Sequence, residues 1–377
     1  MATMSASGPA AAPAAAFSPR SVLQAATERL VSLDVFRGLT MLLLISHGFG
    51  IHEAFKDQPG WAWLANQFEH ADWVGCTLWD LIQPAFTFIV GVAMPLAFSR
   101  RMAKGMTRAG LAGHVLWRSA FLIVLSNVLS NWNTRGPLKF QLINVLCQIA
   151  LAYVLCFLIW NLRLWQQVAA AAAVMVLHHG LFFLYPGPDG PFDGARNIGA
   201  VVDQALLGYN YPGYYTTLNF LGNAMTVLFG VWTGMFLMQP RPHAERLKWL
   251  TAAAAGALAT GLALAPFLPM VKRLWLGSFM FFSAGWVLLA LAACYWLVEV
   301  KGWTRWAFPA IVVGTNGIFI YSFSRVLRGW LSRGVGNFTG NFAFLGSFGA
   351  IPQNLVVLGL MWGLCYWLYQ RKIFFKI

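Results

Sequence analysis

The sequence predicts an all-α membrane protein, a polytopic bundle of about ten transmembrane helices with both termini in the cytoplasm. Hydrophobic residues make up 59% of the chain and charged residues only 10%, whereas soluble domains carry roughly 25% charged residues. Apolar runs close to the ~20 residues that cross a bilayer recur along the whole chain. These runs are continuous and do not alternate with polar residues, which favours helices over a β-barrel.

The apolar runs define the predicted spans and domains. The part before the first run, residues 1–28, is rich in Ala, Pro and Ser and lacks the apolar core of a signal peptide, so it is interpreted as a disordered tail. The rest, residues 29–377, forms one predicted transmembrane domain. The ten predicted spans are residues 33–51, 78–98, 111–130, 143–161, 166–185, 216–238, 248–268, 275–298, 306–324 and 351–369.

Charge and cysteine usage narrow the function classes. With the N-terminus inside, most of the 26 Lys and Arg residues fall on the cytoplasmic side and most acids outside, as in a multi-pass protein of the cell inner membrane. The net charge of +14 therefore reports topology, and the bilayer, not nucleic acid, is the predicted partner. No Cys-x-x-Cys pair is present, so no metal site is predicted.

A short polar hairpin lies between the first two apolar segments and carries the residues with the most chemistry. It contains His70, Asp72 and Asp80, and ionisable groups at the edge of hydrocarbon are costly enough to need a reason. A lone histidine at a helix end is commonly structural. Asp80 either orients a histidine or makes a helix-packing hydrogen bond.

Five other polar residues in the predicted spans are candidate site residues. Asp34 and Arg37 share a helix face at the cytoplasmic start of the first span, where Arg37 either meets a phosphate or is neutralised by Asp34. Arg118, inside the third span, is a second phosphate candidate. Asn223 and Asn316 either line a cavity or tie helices together.

Two long connections, Tyr185 to Tyr215 and Arg325 to Ala350, are both predicted outside, and connections of this length are usually functional or disordered. The first ends in four closely spaced tyrosines. These side chains either hold a sugar or form an interfacial aromatic belt. They are Tyr209, Tyr211, Tyr214 and Tyr215.

Six stretches carry a family resemblance. They are SLDVFRG (32–38), HADWVGCTLWDLIQPAFTFIVGVAMPL (70–96), VLCQIALAY (145–153), KRLWLGSFMFFSAG (272–285), WAFPAIVVGTNGIFIYS (306–322) and YQRKIFFKI (369–377). In this order the chain resembles the heparan-α-glucosaminide N-acetyltransferase-like transmembrane acyltransferases. The first two stretches are the most specific to that family.

The resemblance implies an enzyme that takes an acetyl group from cytoplasmic acetyl-CoA and delivers it to an amino sugar or other glycan on the outer side. It places His70 at the position of the family's catalytic histidine, as a general base or as a nucleophile that carries the acyl group. Asp80 is expected to assist it. The expected acyl-CoA contacts come from Asp34, Arg37, Arg118, Asn223 and Asn316, and relatives suggest a homodimer.

Two positions depart from the family pattern. Many relatives have Val-Asn near the outer end of the first span, where this chain has Ile-Ser-His-Gly. Ser46 is therefore expected to supply the hydrogen bond to an oxyanion, and His47 a second imidazole. Gln148 stands where the family has an arginine. Because of both changes, the family's acceptor and its way of binding CoA do not carry over directly to this chain.

Two other classes of protein compete with the acyltransferase. A secondary transporter of a sugar or small polar solute would also use buried charges and broken helices, which Pro84, Pro95 and Pro309 mark here. No clear internal repeat relates the two halves, which disfavours a transporter. A non-catalytic membrane scaffold leaves the hairpin with His70 and Asp80 unexplained.

Overall fold

The computed structural model describes residues 30–134 and 136–375, so the predicted tail, residues 1–28, lies outside the described residues. Within the described residues all regular structure is helical and no strand forms, which confirms the all-α class. The α-helices are α1 Val31–Ser46, α2 Ile51–Phe55, α3 Ala62–Gln67, α4 Ile82–Ala103, α5 Arg108–Asn131, α6 Val145–Ile159, α7 Leu164–Leu184, α8 Ile198–Leu207, α9 Asn219–Leu237, α10 His243–Leu264, α11 Gly277–Tyr295, α12 Phe308–Thr315, α13 Gly317–Thr339 and α14 Ala350–Gln370.

Eight helical segments of the described residues are long and apolar enough to cross a membrane, which confirms a polytopic helical membrane protein. The last segment, Gly317–Gln370, contains both α13 and α14, joined by tight turns over residues 340–349. The counterpart of the predicted span 143–161 is α6, which at 15 residues is shorter than the ~20 that a full crossing needs.

The ninth predicted span, residues 306–324, differs from the structure. Asn316 leaves the helical backbone conformation, with φ −123° and ψ 36°, and divides this stretch into α12 and α13. Helix α13 then continues to Thr339, through part of the stretch that was predicted as a connection from Arg325. The arginines of this part lower its hydropathy without breaking the helix, because arginine is a good helix former. The connection from Tyr185 to Tyr215 likewise contains α8.

The long connections meet on one side of the bundle, here called the hairpin face. It is formed by residues 47–81, 132–134, 136–144, 185–218, 265–276 and 340–349. Hydrogen bonds join these connections at the pairs Trp73–Phe192, Gly75–Met270, Tyr209–Phe140 and Gln58–Ser347. They follow every second predicted span, so this is the face predicted to be outside. The count of ten and the sidedness stay predictions.

Glycines bring the backbones of α4 and α9 into direct contact. A Cβ atom added to Gly91 would collide with the carbonyl oxygen of Val227, and one added to Gly230 would collide with that of Phe88. Small residues at such positions let membrane helices pack closely by van der Waals contact. Because α4 lines the cavity described below, this contact fixes one wall of the site.

We expect Gly230→Ala to lower the melting temperature of the purified protein in detergent, since overpacking costs about 1–3 kcal/mol. Gly256→Ala is the matched control in α10, where an added Cβ has no neighbour within 4 Å. Alanine is the better helix former, so this control should melt at the same temperature or higher. Equal melting of the two variants would contradict the close contact between α4 and α9.

Candidate functional site

A cavity of about 570 Å³ runs through the bundle, within the size range of small-molecule sites. Its walls come from α1, α4, α5, α6 and α13. Helix α4 follows it from Ile82 to Ala97, which at 1.5 Å per residue is about 22 Å. The middle is lined mainly by apolar side chains, among them Phe86, Ile89 and Leu122. The cavity therefore connects two polar ends that lie far apart.

Asp80 lies at the end of the cavity nearest the hairpin face, in the turn that leads into α4, and is 1% exposed. Its Oδ1 accepts hydrogen bonds from His70 Nδ1 at 2.8 Å and Lys272 Nζ at 3.0 Å. Its Oδ2 accepts from Ala71 N, Thr77 N and Thr77 Oγ1, each at 3.1 Å. A group surrounded only by donors is an ionised carboxylate.

This arrangement assigns the tautomer of His70. Lys272 Nζ also lies 3.2 Å from His70 Nδ1, but the Asp80 carboxylate is nearer and is the stronger acceptor. The proton of the neutral imidazole therefore sits on Nδ1 and points to Asp80. His70 lines the cavity, and its side chain is 42% exposed. Nε2 is left unprotonated for a substrate, as in the imidazole of a catalytic triad.

Lys272 reaches the hairpin from the loop between α10 and α11, and its side chain is only 8% exposed. Burial lowers the pKa of Lys272, but Tyr215 and Asp80 beside it raise the pKa by more, so the ammonium stays protonated at neutral pH. Its Nζ also lies over the Tyr215 ring, 5.9 Å from the centroid. The carboxylate of Asp80 thus balances a fixed positive charge.

The loop that carries Lys272 is held by side chains from neighbouring helices. His178 Nε2 donates to Leu274 O at 3.1 Å, and His179 Nε2 accepts from Gly277 N at 2.9 Å. Asn219 Nδ2 donates to Arg273 O at 2.8 Å. Each of these bonds fixes the loop backbone within a few residues of Lys272, so they orient the ammonium group.

Four tyrosines form a chain of edge-to-face rings on the hairpin face. Successive ring centroids are 5.3, 6.4 and 5.0 Å apart from Tyr209 through Tyr211 and Tyr214 to Tyr215. Tyr214 and Tyr215 line the cavity next to His70. The contacts between rings are those of a packed aromatic cluster, and the last two rings also present surface to a ligand.

The opposite end of the cavity carries two guanidinium groups. Arg37 lies in the second turn of α1, where its Nη1 is 3.3 Å from Asp34 Oδ1, and it lines the cavity. Arg118, from the first half of α5, lines the same end and lies 4.9 Å from the centroid of the Tyr153 ring. The predicted ion pair between Arg37 and Asp34 is therefore present in the structure. Arg37 and Arg118 both line the cavity as well.

Two residues predicted to act with His70 lie at the end of α1. Ser46 is fully buried, and its Oγ donates to Leu43 O of its own helix at 2.7 Å. His47 follows with a left-handed backbone, φ 54°, and ends α1 earlier than the predicted span. Neither residue lines the cavity.

The buried asparagines tie segments together. Asn223 accepts from Thr87 Oγ1 at 3.2 Å and donates to Gln148 Oε1 at 3.4 Å, and neither Asn223 nor Gln148 lines the cavity. Asn316 donates to Ile373 O at 3.0 Å and accepts from Phe375 N at 2.9 Å. Through Asn316, the helix break holds Phe375 at the Arg37 end of the cavity.

Sequence reasoning did not identify Lys272 and Thr77 as partners of Asp80. Thr77 lies within the motif that contains His70, so its spacing from Asp80 was a usable signal. Lys272 lies 192 residues from Asp80. Its only signal was a lysine on the predicted outer side, where positive charge is disfavoured, inside a stretch that matches the family.

Other chemistries find little support at this end of the cavity. Burial, with a further contribution from Asp80, raises the pKa of Cys76 to about 12, so this thiol stays protonated and is a poor nucleophile. Among residues 30–134 and 136–375, no group of three or more His, Cys, Asp or Glu side chains could hold a metal ion. The chemistry available is that of an imidazole between a carboxylate and an ammonium group.

The chain is similar in sequence to two named proteins. No protein-family model matches the chain. The chain is 26% identical to heparan-alpha-glucosaminide N-acetyltransferase of Mus musculus over an alignment of 422 positions. It is 26% identical to that of Homo sapiens over an alignment of 426 positions. Each alignment covers 94% of this chain and 61% of the relative, so the chain spans about three fifths of the length of these proteins. The chain is a distant homologue of the heparan-alpha-glucosaminide N-acetyltransferases.

Proposed function

We propose that the chain is a membrane acetyltransferase that moves an acetyl group from cytoplasmic acetyl-CoA to an amino sugar or related glycan on the other side of the inner membrane. One observation carries this proposal. A single cavity joins two arginines at one end to His70, bound to Asp80, at the other. The name of the homologues supports the acetyl group and the amino sugar.

The donor enters from the Arg37 end in this proposal. Arg37 and Arg118 bind phosphate groups of CoA, which suit a planar guanidinium group. The apolar middle of the cavity, between the faces of α4 and α6, takes the pantetheine arm. The thioester then lies near His70, so only the acetyl group needs to reach the far side. A protein body that spans the bilayer is what this transfer requires.

His70 performs the proton transfer. As the acceptor nitrogen attacks the thioester carbonyl, Nε2 takes the proton that the nitrogen loses, and the tetrahedral centre then collapses with loss of the CoA sulfur, which leaves as the thiol after receiving that proton. Asp80 stabilises the imidazolium that forms between these steps. In the second route Nε2 itself attacks the thioester and CoA leaves as the thiolate. The acceptor nitrogen then takes the acetyl group from the imidazole, and the freed Nε2 accepts the proton that this nitrogen loses.

The acceptor binds at the hairpin end. Tyr214 and Tyr215 line this end and offer ring faces and hydroxyl groups to a sugar. The transporter alternative gains no support from the break at Asn316. Its side chain is bonded to Ile373 and Phe375, and its backbone N and O are bonded to Val313 and Ile320. A broken helix that binds a transported solute would leave those backbone groups to the solute.

We expect His70→Ala to lower acceptor-dependent CoA release by at least about a hundredfold, the usual contribution of a general base. The assay uses the purified full chain in detergent, acetyl-CoA and glucosamine, with thiol release and acetylated sugar as readouts. His47→Ala is the matched control, because His47 lies off the cavity, and should keep wild-type activity. Folded wild-type protein that neither binds acetyl-CoA nor acetylates any sugar would contradict the proposal.

The two routes differ before the acceptor is added. An acetyl-imidazole predicts a burst of one CoA per active chain from acetyl-CoA alone, together with label retained on the protein. Direct transfer predicts neither. His70→Ala removes the burst if His70 carries the acetyl group.

We expect Lys272→Met to lower kcat far more than it raises the KM for acetyl-CoA, because Lys272 acts through Asp80 and His70. Lys272→Arg should restore part of the rate, since a guanidinium keeps the charge. Asp80→Asn should likewise lower kcat far more than it raises the KM for acetyl-CoA, because an amide does not stabilise the imidazolium. Equal losses in Lys272→Met and Lys272→Arg, with lower melting temperatures, would point to a purely structural role.

We expect Arg118→Gln to raise the KM for acetyl-CoA by about tenfold with little change in kcat, since a charged hydrogen bond is worth about 1.5–3 kcal/mol. Arg108→Gln is the control on the same helix, where the side chain is exposed and does not line the cavity. An unchanged KM in Arg118→Gln would place the phosphates of CoA elsewhere.

A further inference from the structure

Arg325 lines the cavity from α13, on the helix face that also carries Ile318 and Tyr321. These positions are three and seven residues apart, so their side chains point in one direction. Arg325 is about 10 Å farther along the axis than Ile318, at 1.5 Å per residue, toward the hairpin face where α13 ends. It therefore lies in the half of the cavity that contains His70.

The charge of Arg325 has no carboxylate partner. Among the described residues, no Asp or Glu oxygen lies within 4.0 Å of it, and the side chain is exposed. Two of the other cations that line the cavity do have carboxylate partners. Arg37 is paired with Asp34, and Lys272 is paired with Asp80. Arg325 thus keeps a full guanidinium charge for a ligand in the cavity.

Topology gives no reason for this arginine. Positive charge is favoured on the cytoplasmic side, and Arg325 lies toward the face predicted to be outside. The side chains that line this end, taken with their ion-pair partners, leave a net positive charge, because Asp80 balances Lys272 and the tyrosine rings are neutral. A cavity end with an excess of one positive charge attracts anions.

We infer that the acceptor is an anionic amino sugar, and that Arg325 is the residue that selects it. Arg325 binds a carboxylate or phosphate of the acceptor while the amine of the same sugar unit or of its neighbour faces Nε2 of His70. A guanidinium group binds either anion through two parallel hydrogen bonds. The ring faces of Tyr214 and Tyr215 hold the sugar between the two contacts. This inference rests on the proposed acetyltransfer.

The test compares three acceptors with the purified full chain. They are glucosamine, which is neutral apart from its amine, glucosamine 6-phosphate, and muramic acid, which carries a carboxylate. The variants are Arg325→Gln, Arg325→Lys and, as the control, Arg333→Gln two turns farther along α13, which does not line this cavity. kcat/KM for each acceptor and KM for acetyl-CoA are measured separately.

We expect the wild type to prefer at least one anionic acceptor over glucosamine by about tenfold or more. Arg325→Gln should remove this preference and leave both the rate with glucosamine and the KM for acetyl-CoA unchanged, while Arg325→Lys keeps part of it. The comparison of glucosamine 6-phosphate with muramic acid shows whether Arg325 binds a phosphate or a carboxylate.

Three results would overturn the inference. These are equal use of neutral and anionic acceptors by the wild type, an equal loss for all acceptors in Arg325→Gln, and an increase in the KM for acetyl-CoA. Each of them leaves the proposed acetyltransfer intact. Absence of transfer to every sugar by folded wild-type protein would instead remove the proposed function and this inference with it.

Discussion

The buried carboxylate of Asp80 is the interaction on which the rest of the site depends. A carboxylate out of contact with water is costly unless several donors surround it, and the structure supplies them from the hairpin backbone, from His70 and from Lys272. Satisfying Asp80 therefore fixes the hairpin, the imidazole and a distant loop together. The orientation of His70 toward the cavity follows from this one requirement.

The cavity separates two kinds of recognition along one path. Charged groups lie only near its ends, and the apolar middle excludes ions from crossing. A long ligand with a charged head and a flexible tail fits such a path better than a compact polar solute does. The direct backbone contact between α4 and α9 holds one wall of this path against its neighbour.

Much of this architecture could be predicted from the sequence, because a bilayer imposes span length and charge asymmetry on the chain. The hairpin could be located as well, since His70 and Asp80 lie ten residues apart in one motif. The partner Lys272 could not, because its proximity to Asp80 arises only when the loops from distant helices assemble. Ser46 and His47 are also near the motif in sequence, but Ser46 is hydrogen-bonded within its own helix and neither residue lines the cavity. The extent of α13 was missed because hydropathy responds to arginines and helix propensity does not.

The hydrogen bond between Lys272 and Asp80 has a consequence for how the protein matures. It joins residues 192 positions apart, so the group of His70, Asp80 and Lys272 is complete only after the second half of the chain has packed against the first. A partly inserted chain would carry its histidine but not the cation that balances Asp80. The proposed activity therefore requires assembly of the whole bundle and not only an intact hairpin.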